Sequence, residues 1–237
     1  MDEKKEILEY LKKNETFNAN IINFMESYPI YYIEREGNSV IAKGTSDRPW
    51  VYISSTSKEE LRIIKNKLSS ADRNFAIIED WMIPILSEGN KVKWKLSTMR
   101  LFFPGFVPVK NPIHNTAQLN IEDASFIYDN SDYKEYLSIE YITERIANGI
   151  SSCIRESNKL AAWAITQDDG AMGFLHVLPE YRNKGYARDI TMDIIHKLRA
   201  KNKLPFVHIE ENNNKSMNLA ISLGFVKDRI VNWFEIE

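Results

Sequence analysis

The stretch Val177-Leu178-Pro179-Glu180-Tyr181-Arg182-Asn183-Lys184-Gly185-Tyr186-Ala187-Arg188 constrains the fold more than any other part of the chain. β-type text from Ala171 to Leu178 runs into Pro179, and a basic turn with one glycine follows. An apolar stripe of Ala187, Ile190, Ile194, Ile195 and Leu198 then begins at helical spacing. A strand that turns directly into a helix places unpaired N–H groups and the positive end of the helix dipole at the turn. That is a ready site for a phosphate or pyrophosphate. Small residues at Gly185 and Ala187 let a ligand approach the backbone closely. From Tyr181 to Lys203, seven Lys and Arg stand against Asp189 and Asp193, so the basic surplus sits where a polyphosphate would bind.

Composition narrows the alternatives. With 31 Lys and Arg against 33 Asp and Glu, the chain has no surplus of positive charge with which to clamp nucleic acid. The single cysteine, Cys153, excludes an internal disulfide, and four histidines leave no cluster at metal-ligand spacing, so no metal is expected. The opening Asp2-Glu3-Lys4-Lys5-Glu6 is too charged for a signal peptide. No apolar run approaches the roughly 20 residues of a membrane span. A reduced, soluble, cytoplasmic protein is expected. Its 237 residues allow one large domain or two small ones.

The chain divides by pattern. Asp2 to Lys13 reads as a helix, and Ile30–Ile33, Ser39–Ile41 and Trp50–Ile53 as strands punctuated by turns. Ser57 with Glu60 makes a capping box for a helix expected to bury Leu61, Ile64 and Leu68. A strand at Phe75–Ile78, a short helix near Trp81 and a long strand from Lys91 to Phe103 complete this half. Pro104-Gly105, Pro108 and Pro112 then mark a boundary near residue 110. After it come helical text from Ile121 and from Ile139 to Asn148, with Gly149 expected as a C′ glycine. Strands at Ser151–Arg155, Leu160–Thr166 and Ala171–Leu178 follow, joined by turns at Asn158-Lys159 and Asp168-Asp169-Gly170. The helix after Gly185, a strand at Phe206–Ile209, a helix from Asn213 to Leu223 and two short strands between Phe225 and Ile236 close the chain. The expected class is mixed α/β, with domains at 1–110 and 111–237.

The Val-x-Pro-x-Tyr-Arg-x-x-Gly-x-Ala string, with Asn213-x-x-Ser216 and Leu223-Gly224-Phe225 after it, resembles the two signature regions of the GNAT superfamily of acyl-CoA-dependent N-acyltransferases. The likeness covers about 115 to 237, and the layout is most similar to the glycine N-acyltransferase-like branch. It implies a GNAT-like mixed sheet flanked by helices in the C-terminal half. A smaller α/β domain, a degenerate GNAT-like half without the pyrophosphate turn, would precede it. The cofactor implied is acetyl-CoA, with no metal, and the acceptor is a small-molecule amine or amino acid attacking the thioester directly. The backbone of Asn183, Lys184, Gly185, Tyr186, Ala187 and Arg188 would hold the coenzyme A pyrophosphate, framed by Arg182. Leu175, His176 and Val177 would pair with the pantetheine arm, and the Val177 N–H would face the thioester oxygen, a contact worth about 3 kcal/mol to an oxyanion. Asn213 and Ser216 would lie beside the lower pantetheine. No nucleic-acid or membrane partner is implied, and the oligomeric state is open.

Two positions depart from the family. Where many members carry a Tyr to protonate the thiolate stands Ala220, and where the glycine-conjugating branch carries its proposed base stands Ala171 or a neighbour. A thiol with a reference pKa of about 8.5 is already a fair leaving group, so loss of the acid need not abolish transfer. An alkyl ammonium still has to lose a proton before it can attack, so His176 and Glu210 are the candidate bases. Each has an ordinary reading too, as a buried strand histidine and as a charge at a helix N-terminus. His208 faces core or cleft, His114 is expected to be exposed, and Cys153 to be a buried small hydrophobe. Tyr128, Trp163, Phe174 and Trp233 are candidates for an acceptor pocket or for core. The rival function is a non-catalytic acyl-CoA-binding or sensor module. A nucleotide site fits less well, without a P-loop Lys-Ser/Thr pair or a G-x-G-x-x-G.

Overall fold

The computed structural model describes residues 3–131, 133–134 and 137–237. Asp2, expected at the head of the first helix, lies outside them. The first half runs α1 (Glu3–Lys12), α2 (Glu15–Ser27), β1 (Ile30–Glu36), β2 (Ser39–Thr45), β3 (Pro49–Ser54), α3 (Lys58–Lys65), β4 (Asn74–Ile78), α4 (Ile83–Leu86) and β5 (Val92–Phe102). The second half runs α5 (Asp123–Asp129), α6 (Ile139–Asn148), β6 (Ser151–Glu156), β7 (Lys159–Thr166) and β8 (Met172–Val177). It continues through a 3-10 turn at Pro179–Tyr181 to α7 (Tyr186–Ala200), β9 (Phe206–Ile209), α8 (Asn214–Leu223) and β10 (Val226–Ile236). The succession αα-βββ-α-β-α-β therefore occurs twice, and the final text expected as two short strands is the single strand β10.

Two compact units form. The first takes residues up to Leu101 together with Ile209–Asn214 and Lys227–Glu237, and the second takes Phe102–His208 and Lys215–Val226. The chain passes from first to second at Leu101/Phe102, ahead of the proline-dense stretch, and returns twice. The last return puts β10 in the first unit, antiparallel to β4 through Asn232–Ile78 and Phe234–Phe75.

In the first unit the strand order is β1-β2-β3-β4-β10-β5. β1/β2 and β2/β3 are antiparallel, and β3 and β4, joined by α3, run parallel. Period-two alternation sends Val40 and Ala42 to a core with Leu11, Ile21, Phe24 and Met25 of α1 and α2. Ile41, between them, turns to the opposite face with Leu61, Ile64 and Phe234. Ser57 caps α3 as expected, accepting from the Glu60 N–H at 3.2 Å. Its text does not show α2, whose asparagines are weak helix formers. Packing overrides that preference: Asn18, Asn20 and Asn23 are buried, and Asn18 donates to the Leu11 carbonyl at 3.0 Å. Between Phe75 and Ile78, Ala76 and Ile77 face the single residue Trp233, a bulge in which Ile77 adopts φ 60°. Holding a β-branched residue there costs about 1–3 kcal/mol.

In the second unit the order is β9-β8-β7-β6, and β8 and β9, joined by α7, are parallel. α5 and α6 pack Ile127, Ile142 and Ile146 on one face, against Cys153, Trp163 and Ile165. α7 buries Ile190, Ile194, Ile195 and Leu198. The β6–β7 hairpin turns at Ser157 and Asn158, with φ 49° and 66°, one residue earlier than expected. That pair of positive values suits a hairpin turn. Gly149 ends α6 at φ −87°, so it is not the left-handed C′ residue expected. It is needed for closeness instead, because a Cβ there would meet the Arg145 carbonyl oxygen at 2.5 Å and Thr166 Oγ1 at 2.9 Å. Gly149→Ala should therefore lower the unfolding free energy by about 1–3 kcal/mol, read as a reduced urea midpoint at unchanged slope. An unchanged midpoint would contradict this packing of the α6 C-terminus.

Candidate active site

The site grows from β8. Its register with β7 pairs Trp163 with His176 and Ile165 with Gly173, so Phe174 and Leu175 together face Ala164. Phe174 sits at φ 54° in this bulge, which bends the strand just ahead of the turn. On the other side β8 meets β9 at Met172–Val207, the one register pair between them among the described residues.

The turn after β8 takes the shape that the sequence predicts. Asn183 and Gly185 lie in the left-handed region at φ 64° and 86°, which lets the chain reverse and start α7 at once. The first intrahelical bond runs from the Asp189 N–H to the Gly185 carbonyl, 3.1 Å. The N–H groups of Tyr186, Ala187 and Arg188 therefore point out of the helix end. The N-cap, Gly185, has no side chain with which to cap α7. The space beside Gly185 is open, with His114 Cε1 the nearest atom, 3.9 Å from where a Cβ would be. Arg182, Asn183, Lys184 and Gly185 are exposed, and Arg182 Nε donates to the Val177 carbonyl at 3.2 Å.

The basic surplus counted from the sequence divides in three, with Lys201 and Lys203 lying past the C-terminal end of α7. Lys197 pairs with Asp193 at 2.6 Å, and Arg199 donates to the Val107 and Pro104 carbonyls at 2.9 and 2.7 Å, so both are structural. Arg182, Lys184 and Arg188 remain around the turn. Lys184 Nζ lies over the Tyr181 ring at 5.2 Å.

His114, expected simply to be exposed, is part of this turn. Its Nδ1 is 2.7 Å from Asp189 Oδ2, which also accepts from the Ile113 and His114 N–H groups, both at 2.9 Å. Burial pushes the Asp189 carboxyl up, but the hydrogen bonds from His114 and Ile113 outweigh it and hold the group below the usual carboxylate range. The Tyr186 hydroxyl donates to Glu156, and that bond is the main cause of a phenol pushed up to about 12. These contacts span dozens of residues of sequence. An acid in the first turn of α7 was the only local sign of them.

The remaining candidates separate. His176 stacks on Trp163, ring centroids 4.8 Å apart, and that tryptophan is almost fully buried in the second unit's core. Trp233 packs against the first unit's core. Ser216 belongs to the second unit, whereas Glu210 and Asn213 fall in the first, where the Asn213 N–H donates to the Glu210 carbonyl at 2.9 Å. The His208 side chain is buried, with Nε2 3.2 Å from Asp169 Oδ2. Cys153 is fully buried, and burial pushes its thiol up, consistent with a small hydrophobe. Ala171 and Ala220 are both buried. Among the described residues no cluster of His, Cys, Asp and Glu could hold a metal ion, and no helix is long and apolar enough to cross a membrane.

Comparison with known proteins identifies the fold. Residues 149–234 match the family model of FR47-like proteins. The crystal structure of a Drosophila protein superposes with a TM-score of 0.78 at 16% identity, over 99% of this chain and 96% of that one. A GCN5-related N-acetyltransferase from Kribbella flavida is similar at TM-score 0.58 and 13% identity, covering 93% and 94%. An acetyltransferase of the GNAT family from Novosphingobium aromaticivorans is similar at 0.53 and 15%, covering 78% and 82%. No curated protein sequence matches this chain. The fold is GNAT-like, a mixed sheet flanked by helices.

If Asp189 ties the 113–114 segment to the turn, Asp189→Asn should cost about 1–3 kcal/mol of stability at neutral pH. A carboxyl held low in the folded state contributes stability above its unfolded pKa of about 3.9, and loses it as pH falls through the folded value. The gap between wild type and variant, measured by urea unfolding, should therefore persist to mildly acidic pH and close below it.

Proposed function

We propose that the protein is an acyl-CoA-dependent N-acyltransferase that moves an acetyl group from acetyl-CoA to the amine of a small molecule or amino acid. The observation that carries this reading is the N-terminus of α7, whose N-cap is the exposed Gly185, beside a bulged strand that among the described residues registers with β9 at Met172–Val207 alone. A 15-residue helix with no side-chain cap presents three N–H donors and its dipole to an anion. Arg182, Lys184 and Arg188 surround it, and Gly185 keeps the approach clear. The coenzyme's pyrophosphate fits this donor set, and the edge of β8 from Leu175 to Val177 suits a linear pantetheine amide chain.

In this reading coenzyme A supplies an activated thioester whose thiol is itself a fair leaving group. This chain binds and aligns. The Val177 N–H, aimed at the carbonyl, stabilises the negative charge that develops as the amine attacks. The amine nitrogen bonds to the carbonyl carbon, the carbon–sulfur bond breaks, and the ammonium proton passes to a base. Within the second unit, His176 is the proposed base and Ser216 is proposed to flank the pantetheine. The GNAT-like fold and the FR47-like match support acyl transfer in general. Glycine conjugation is not the favoured acceptor reading, because the position of that branch's base falls at the buried Ala171 or a neighbour.

Buried Ala220, in place of a tyrosine acid, favours the second reading, an acyl-CoA-binding module without turnover. Calorimetric titration with acetyl-CoA, coenzyme A and ATP, followed by thiol-release assays over a panel of amines, separates the two. Micromolar binding of both coenzyme A compounds but not ATP, with thiol release, is expected. Lys184→Ala and Arg188→Ala should each weaken coenzyme A about tenfold, the loss of one charge-assisted contact. Binding without release for any amine would favour the sensor, and no binding would end both readings.

A further inference from the structure

His114 stands at the α7 turn, in the same unit, and the acyl-transfer reading gives it no part. Its imidazole is fixed from two sides. Nδ1 lies 2.7 Å from Asp189 Oδ2, and the ring meets the Tyr186 ring edge-on, centroids 4.7 Å apart and planes at 75°. Tyr186 is itself held through its hydroxyl by Glu156. A ring pinned at one nitrogen and packed along an aromatic neighbour is pre-organised. The other nitrogen, Nε2, has no protein partner among the described residues, and the side chain is 35% exposed, so a ligand can reach it.

The ring borders the space over Gly185. Cε1, the carbon bonded to both nitrogens, is 3.9 Å from where a Gly185 Cβ would stand. That is van der Waals distance, so a group lying on the Gly185 backbone rests against this edge of the ring. With Nδ1 turned to Asp189, Nε2 is the polar atom such a group can reach. A neutral ring with its proton on Nδ1 offers a lone pair there, whereas the imidazolium offers an N–H. A carboxylate at one nitrogen and a phosphate at the other both favour the imidazolium, and its N–H···O bond is charge-assisted. Asp189 is buried and its Oδ2 already accepts from the Ile113 and His114 N–H groups. Arg188 Nη1 lies 3.8 Å from Asp189 Oδ1, and Lys184 Nζ lies 6.0 Å from the Tyr186 ring centroid. Arg188, Lys184 and the imidazolium outnumber Asp189 and Glu156, so the balance around the ring favours an anion.

We propose that His114 is a cofactor-binding residue, a role that rests on the acyl-CoA reading of this turn: its Nε2–H donates to an oxygen of the coenzyme A pyrophosphate lying over Gly185. Asp189 is the positioning residue that holds the ring for that contact. The backbone donors of the turn are thereby joined by a side chain from a segment outside the motif.

Calorimetric titration of the whole protein with coenzyme A and with dephospho-coenzyme A, in wild type and His114→Asn, tests this. The asparagine amide nitrogen takes the place of Nδ1 and keeps the tie to Asp189, but nothing replaces Nε2. Both ligands should bind about tenfold more weakly to the variant, while its urea midpoint without ligand stays close to that of wild type. Diethyl pyrocarbonate, which acylates accessible imidazole nitrogens, is applied in parallel to the unmutated protein and read peptide by peptide. Coenzyme A at saturation should suppress labelling of His114. Full affinity in His114→Asn, a loss seen with coenzyme A but not with its dephospho form, or undiminished labelling of His114 at saturation would each overturn the proposal and leave the acyl-CoA reading intact. Because the labelling uses wild type, a variant that misfolds cannot hide the answer. A wild type that binds no coenzyme A would overturn the acyl-CoA reading, and this proposal with it.

Discussion

A sheet stays closed while each strand finds a ladder partner along both edges, and in each unit the parallel pair does so only briefly. β3 and β4 share two register pairs and β8 and β9 share one, among the described residues. Next to each pair sits a bulge with a bulky residue in the left-handed region, Ile77 in β4 and Phe174 in β8. Such residues are held there only because the surrounding core over-determines them. The rest of each unit follows from that constraint. Antiparallel neighbours and helices on both faces hold the strands, and the parallel seam is left to part.

What lies beside the seam then decides its chemistry. In the second unit α7 begins without a side-chain cap, its turn lined by exposed Arg182 and Lys184, so the helix end is available to an anion. In the first unit the corresponding helix α3 is closed by Ser57, and Glu59 and Glu60 fill its first turn. A hydroxyl already accepting from the Glu60 N–H removes the donor that a phosphate would use. The two units share an order of elements, but one helix start is open and the other shut. Equivalent topology therefore does not give equivalent ligands.

Much of this was legible in the sequence, for identifiable reasons. The α7 turn was legible because its signal is local: a proline, a glycine and a helical stripe within a dozen residues. The capping box at Ser57 and the strands of β-branched residues are local in the same sense. α2 was not legible, because its asparagines oppose helix formation and only burial against β2 and β3 makes the helix worthwhile. Gly149 was legible as a stop but not as the kind of stop it is, since the contact that demands glycine is with Thr166 on β7 as well as with its own helix.

Contacts between distant residues set the limit. His114 and Asp189 lie 75 positions apart, and nothing in either neighbourhood announces that an imidazole nitrogen and two backbone N–H groups converge on one buried carboxylate. A carboxylate at the N-terminal turn of a helix is normally read as complementing the dipole. Here it does that and also fixes the 113–114 segment against the turn, which places His114 beside Gly185. The geometry around the candidate phosphate position is therefore set by a segment that the motif does not contain. The motif supplies the donors, and the long-range contact supplies the wall they face. A functional turn is identified from its local residues, but its shape comes from what the fold packs against it.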